Sequence, residues 1–389
     1  MRILLFTEVV SPYVCGISSY VDVLKKGLEK LSHKVVIVTS STEVEKAYCK
    51  NGIIWCPAKA AKNKYGYECK DPYDERLIDF MCVCKPDIVH IHTDTKIGYL
   101  GLAVADAAKV PAVFTIHDYY HDRFAAENKI IWKYRTFFEK RHFEDMLDNA
   151  DAVTSSCSRA EMFVRRARKK NEVKIIPCSV DSELFDYRKY SREDIEKTRK
   201  KYGLSPNSTA AVFAGSLSIE KNLEFALSAF SKYIKKSDNI QFLILGDGTE
   251  TEYLKGICHK LKIDDMVFFG GVVPNEKMPE IYSACDMYVC SYDDGLMSMS
   301  FGEAMSCGLP VLVKEDYENI AYSMVKEGVN GFVYKNREEF ANYLKTFSKF
   351  DMNEKSNIRK TVRNTIPKNS YISMAEEYTK LYESLIEKK

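Results

Sequence analysis

Ala210-Ala211-Val212-Phe213-Ala214-Gly215-Ser216-Leu217-Ser218-Ile219-Glu220-Lys221-Asn222 is a short apolar run that ends on a glycine and small polar residues before the helical pattern of Leu223–Lys235 begins. An apolar strand followed at once by a glycine turn and a helix is the opening unit of a doubly wound parallel sheet, whose strands are covered on both faces. The alternation continues with strand Gln241–Leu245, helix Glu250–Lys262, strand Met266–Phe269, helix Met278–Ala284 and strand Met287–Cys290. Upstream, strand Arg2–Thr7 precedes helix Ile17–Leu31, which carries Ile17, Tyr20, Val21, Leu24, Leu28 and Leu31 at three- and four-residue spacing. Further strands follow at Lys34–Thr39, Ile88–His92, Ala112–Ile116, Asp151–Thr154 and Val173–Ile176. The expectation is an α/β protein of two Rossmann-like domains, 1–184 and 209–365, joined by a linker at 185–208 that is rich in charge and holds Gly203 and Pro206. Ser370–Glu387 is a last amphipathic helix whose apolar face, Tyr371, Met374, Ala375, Tyr378, Leu381, Tyr382 and Leu385, needs a cover.

Composition narrows the function classes. The 57 Lys and Arg against 55 Asp and Glu leave a net charge of +2, without the strong field of a dedicated nucleic-acid binder. A 46% hydrophobic content with no low-complexity run excludes intrinsic disorder. Only Ile3-Leu4-Leu5-Phe6 precede the first carboxylate, too short a run for a signal peptide. No uncharged stretch approaches the roughly 18–20 residues that span a bilayer. The expected location is cytoplasmic, in solution or at the inner face of the membrane. Twelve cysteines are scattered without any C-x-x-C, the closest pair being Cys82-Val83-Cys84, so reduced thiols and no metal site are expected.

Ligands of parallel sheets sit beyond the carboxyl ends of the strands. The first such turn puts Gly16 at a helix start, where free N–H groups can receive a phosphate, although a tight turn alone also explains one glycine. Val89-His90-Ile91-His92 and Thr115-Ile116-His117-Asp118 end two adjacent strands. His90, among apolar residues, reads as a satisfied core histidine; His117, past its strand, is placed for a donor or acid/base role. Lys221 stands near a helix start where a diphosphate would add to the helix dipole. Gly246-Asp247-Gly248 repeats the strand–glycine–helix arrangement. The densest segment is Ser291–Pro310, where Glu303 either accepts from a ribose diol or is a favourable charge near a helix N-terminus.

In this order the motifs resemble the family 4 glycosyltransferases, retaining enzymes of GT-B fold. The resemblance covers almost the whole chain and rests on Pro12…Gly16, Pro86-Asp87-Ile88-Val89-His90-Ile91-His92, Thr115-Ile116-His117 and Ile176-Pro177…Val180-Asp181…Phe185 in the first half. In the second half it rests on Lys221-Asn222, Gly246-Asp247-Gly248, Glu303-Ala304-Met305…Gly308-Leu309-Pro310-Val311 and Glu327-Gly328-Val329-Asn330-Gly331-Phe332. The run from His90 to Tyr119 and the Trp132–Phe143 segment look most like the branch that transfers glucose to diacylglycerol.

The resemblance implies two domains facing a cleft, the first for the acceptor and the second for a nucleotide sugar, with the last helix (370–389) crossing back to the first. It implies UDP-glucose as co-substrate, no cofactor and no metal, and a lipid or glycan as acceptor. His117 would contact the donor sugar near the reaction centre, Lys221 the diphosphate, Glu303 the ribose, and the amides of Gly295, Leu296, Met297, Ser298 and Met299 the sugar hydroxyls. Gly16, Ser216, Gly246, Val273 and Asp294 complete the implied donor contacts. Ser216 stands where the family has an arginine, and losing that charge-assisted contact costs about 1.5–3 kcal/mol. The first glutamate of the family's E-x7-E motif, eight residues before Glu303, is replaced by Gly295, with Asp294 one further back, and Cys178-Ser179 replaces Asn-Gly. These departures leave a second reading open, a binding or regulatory subunit that partners an active homologue.

Lys129–His142 places Ile130, Ile131, Tyr134, Phe137 and Phe138 on one helical face and cations mostly on the other. That pattern suits an anionic membrane interface, and equally a helix packed inward with solvated lysines. Arg165–Lys170 is a second basic run. No nucleic-acid-binding motif accompanies either.

Overall fold

The computed structural model describes all residues except 11–14, 63–67, 73–75, 118–139, 158, 168–171, 292–298, 316–323 and 368–369. The chain divides into two compact units: one holds residues 1–10, Ile17–Cys178 and Tyr371–Lys389, the other holds Cys15 and Gly16 together with Ser179–Ser370.

The strands of the first unit are β1 Arg2–Phe6, β2 Lys34–Ser41, β3 Tyr48–Lys50, β4 Ile53–Lys62, β5 Glu68–Pro72, β6 Ile88–Ile91, β7 Ala112–Ile116, β8 Ala152–Ser155 and β9 Val173–Ile175. Their order is β3-β4-β2-β1-β6-β7-β8-β9, with β5 paired to β4. All pairings are parallel except β3 and β5 against β4. Helices α1 Gly16–Lys30, α2 Arg76–Cys82, α3 Lys96–Ala108 and α4 Arg159–Arg166 connect them, and residues 140–149 are also helical. Strand order reverses between β1 and β6, the switch point at which such sheets open a ligand crevice.

The second unit contains β10 Thr209–Ala214, β11 Ile240–Leu245, β12 Val267–Gly271, β13 Met287–Cys290, β14 Val311–Lys314 and β15 Gly331–Tyr334, in the order β12-β11-β10-β13-β14-β15. Every residue of β10 and β11 is buried, which explains their largely apolar sequence; the exception in β11, Gln241, accepts hydrogen bonds from Ser205 N–H and Ser208 Oγ–H. The helices are α5 Arg192–Lys201, α6 Leu223–Tyr233, α7 Thr251–Leu261, α8 Met278–Ala284, α9 Met299–Ser306, α10 Arg337–Ser348 and α11 Met352–Thr365. The switch point here lies between β10 and β13.

Residues 185–208, expected as a linker, are packed into this second unit. Phe185 and Leu204 join its core, and Ser191 and Asp194 form a capping box at the start of α5. Arg199 turns inward and donates to the carbonyls of Ala284, Ser205 and Ser208. The segment's charge density misled because most of it lies on the solvent face of α5, while Thr198 and Arg199 face in.

The last helix, α12 Ser370–Ile386, belongs to the first unit from Tyr371 onward and buries Tyr371, Met374, Ala375, Tyr378, Leu381 and Tyr382. It lies close to α1: a Cβ on Gly27 would stand 2.6 Å from the Tyr371 carbonyl oxygen and 2.8 Å from Ala375 Cβ, so only glycine fits. A further hydrogen bond joins His33 Nε2 and Thr379 Oγ1, 3.0 Å apart. Tyr378 reaches a buried polar knot, its hydroxyl 2.7 Å from that of Tyr20 and 3.2 Å from both Thr115 Oγ1 and Thr154 Oγ1.

Candidate functional site

In the first unit the candidate residues gather at the ends of β6 and β7. His90 is fully buried, with Nδ1 2.6 Å from the Tyr382 hydroxyl and Nε2 2.6 Å from Thr115 Oγ1. Both nitrogens are engaged and burial lowers its pKa well below the ordinary value, so it is a neutral core histidine. His92, one step past β6, places Nδ1 2.9 Å from Nε2 of His117, one step past β7. Their rings stack at 5.2 Å, and the Tyr20 ring meets His117 edge-on at 4.6 Å. His117 is thus held against His92 and Tyr20, and those residues rest on the knot that α12 completes. Gly16 opens α1; no atom lies within 4 Å of a Cβ built there, so packing does not demand glycine at this position.

In the second unit the turn after β10 is built for close approach. Gly246, at φ +118°, would put a Cβ 1.9 Å from the Gly215 carbonyl oxygen. Its N–H is committed to Gly271 O at 2.8 Å, and the Gly215 N–H to Leu245 O at 3.1 Å. Gly246 therefore serves the junction of the two strand-end turns. Ser216 is exposed and Lys221 half-buried, at the end of a single 3-10 turn that stops at the left-handed Asn222.

Ser300 at the start of α9 and Tyr288 of β13 meet this edge at one carbonyl. Ser300 Oγ donates to Ala214 O at 2.7 Å, and the Tyr288 hydroxyl to the same oxygen at 3.2 Å. Ser291 Oγ donates to Lys221 O at 2.6 Å, which fixes the lysine's turn to the end of β13. Lys221 and Glu303 accordingly stand on elements pinned to one switch point. Val273 and Met299 are buried, Val273 in the core. Asp294, Gly295, Leu296, Met297 and Ser298 lie outside the described residues, as do 129–139 and 168–170 of the basic runs; Arg165 is described and strongly exposed.

Glu303 is 4% exposed, and burial pushes its pKa up to about 8 against a hydrogen bond from Asn275 that works the other way. Asn275 carries no signal in the sequence; His92 stands out there only as a strand end and the α12 tyrosines only as an apolar face, none of them as part of a site. Because the folded chain holds this proton more tightly than the unfolded chain, the group is without cost below pH 4.5 and lowers stability as pH rises toward 8. Glu303→Gln is expected to raise the melting temperature of the ligand-free chain at pH 8.5 relative to wild type, with little difference at pH 4.5. Thermal melts at the two pH values check this, and equal differences at both would contradict the buried, protonated carboxyl.

Among the described residues no group of three or more His, Cys, Asp or Glu is placed to hold a metal, and no helix is long and apolar enough to cross a membrane.

Two Rossmann-like units, each with a switch point in its parallel sheet, give the chain the GT-B fold. Residues 14–184 match the Glycosyltransferase Family 4 model and residues 194–365 the Glycosyl transferases group 1 model. The chain belongs to this glycosyltransferase family and is a hexosyltransferase. It is 26% identical over 353 residues to the alpha-monoglucosyldiacylglycerol synthase of Acholeplasma laidlawii, covering 88% of this chain and 87% of the relative. The enzyme of the same description from Streptococcus pneumoniae is 25% identical over 348 residues, covering 88% and 77%. Among solved structures, Anabaena Alr3699/HepE in complex with UDP and glucose has a TM-score of 0.73 at 17% identity, covering 99% of this chain and 100% of that one. Sucrose-phosphate synthase from Thermosynechococcus elongatus has a TM-score of 0.74 at 18% identity, with full coverage of both chains. These two likenesses establish the fold.

Proposed function

We propose that the protein transfers glucose from UDP-glucose to the hydroxyl of diacylglycerol, with retention of anomeric configuration. The observation that carries this reading is the similarity, over 88% of the chain, to two relatives described as alpha-monoglucosyldiacylglycerol synthases. An α-glucoside formed from the α-linked UDP-glucose keeps its configuration. The chemistry asks the protein to stabilise a departing diphosphate and an oxocarbenium-like sugar, tasks for cations, helix N-termini and preorganised donors. Lys221 supplies a cation for the diphosphate, the N-terminus of α1 at Gly16 an open approach for an anion, and Glu303 a carboxyl for the ribose diol. With its pKa near 8, Glu303 is largely protonated at neutral pH and can both donate to and accept from that diol. His117 serves the donor sugar at the reaction centre. The first unit takes the acceptor and meets an anionic membrane through the basic and aromatic residues of 129–142 and 165–170.

One experiment tests donor, acceptor and surface together. Full-length protein is incubated with UDP-glucose and vesicles of anionic phospholipid containing diacylglycerol, followed by sedimentation and mass spectrometry of the lipid extract. Binding to the vesicles at low salt and a lipid heavier by one hexose are expected. Binding without hexosyl lipid would remove the acceptor assignment, and hexosyl lipid without binding would remove the membrane role of the basic segments.

A further inference from the structure

The stretch from Ala214 to Lys221 is held at both ends by hydroxyl groups from β13 and α9. At its start the Ala214 carbonyl accepts from Ser300 Oγ and from the Tyr288 hydroxyl, which stand 2.9 Å from one another. At its end the Lys221 carbonyl accepts from Ser291 Oγ at 2.6 Å. Ser291 is fully buried and directly follows the last residue of β13. A single 3-10 turn has little stability of its own, and the last carbonyls of a helix find no partner within it. The Ile219–Lys221 turn closes only on its own stretch, with Lys221 N–H on Ser218 O at 3.0 Å and Asn222 N–H on Ile219 O at 3.1 Å. The Ser291 bond is different, because it reaches across 70 residues to the sheet. The backbone of Lys221 is therefore placed by the end of β13, and Ser300 ties the helix that carries Glu303 to the start of the same stretch.

Lysine is a point charge on a flexible four-carbon stem, so its aim depends on where the root of that stem is held. Ser216, five residues earlier, contributes no charge, which leaves more of the task to that aim. We propose that Ser291 is a positioning residue for the donor diphosphate: by holding the Lys221 carbonyl it fixes the root of the lysine and so the reach of its ammonium to the phosphates. This rests on the role given to Lys221 above.

The full-length protein is titrated with UDP by calorimetry and with uridine, which has no phosphate, by ligand-observed NMR, each variant being accompanied by a melting curve. Lys221→Ala is expected to weaken UDP roughly ten- to a hundredfold and Ser291→Ala roughly three- to tenfold. Uridine binding should change by less than about twofold in either, a distinction that general damage to the fold would erase. In the Lys221→Ala background, Ser291→Ala should cost less than about twofold more, since the group it positions is gone. Ser291→Thr keeps the hydroxyl and is expected to recover most of the UDP affinity; Ser291→Cys, nearly the same size with a weak donor, should fall between. A folded Ser291→Ala protein that binds UDP as tightly as wild type, or that loses UDP and uridine equally, would overturn the proposal while a Lys221→Ala defect left the lysine's role standing. If Lys221→Ala binds UDP normally, the diphosphate role of Lys221 falls and the proposal with it.

Discussion

Replacing His117 with alanine is expected to lower kcat for glucosyl transfer roughly a hundred- to a thousandfold, the usual loss when one preorganised donor to developing charge is removed. UDP affinity, measured by calorimetry, should stay near the wild-type value, because the residues assigned to the nucleotide, Lys221 and Glu303, stand in the other unit. The split distinguishes a group acting in the transition state from one that merely supports the fold. Alanine also deletes a ring packed against Tyr20 and His92, so a melting curve must accompany the kinetics. An unchanged fold with lost turnover supports the role, and a folded variant with full turnover would falsify it.

Gly246→Val is expected to be the most damaging single change to stability. At φ +118° an L side chain is strained, and a Cβ 1.9 Å from a backbone oxygen cannot be relieved by a rotamer change. The turns after β10 and β11 would have to separate, breaking the Gly246–Gly271 and Gly215–Leu245 hydrogen bonds. A cost of about 3–5 kcal/mol is expected, with loss of soluble protein at physiological temperature as the practical result. Gly256→Ala is the matched control: it lies within α7 with nothing inside 4 Å of the added Cβ, and should stabilise by about 0.5–1 kcal/mol. Chemical denaturation of both variants reads the contrast, and similar midpoints would show that the turn yields more easily than its geometry implies.

The parallel alternation was legible wherever strands are covered on both faces, as in β10 and β11, because continuous burial writes itself as an apolar run. The β4–β5 pair escaped, since Lys59, Lys62, Lys70 and Asp71 interrupt any such run and the pairing partner lies in neither helix nor parallel strand. Charge counting failed at 185–208, where one inward arginine is invisible among outward ones. For the candidate site, strand ends were identifiable by a general rule, and His90 was readable as core from its apolar neighbours. The juxtaposition of His92 with His117 depends on inter-strand register, with Ile91 opposite Phe114, and register is not written in either strand alone. Nor does any local pattern announce that Tyr378 and Tyr382, nearly 290 residues downstream of His90, supply its floor.

That last dependence has a consequence for how the chain is made. Residues 371–389 emerge from the ribosome after the whole second unit, yet they hold hydroxyls that the interior of the first unit requires. The first unit therefore cannot reach its finished state ahead of the second, as successive domains ordinarily do during synthesis. His90 meets its Tyr382 partner only after the whole second unit has been synthesised, so the interior of the first unit is completed by a segment made later than its neighbour.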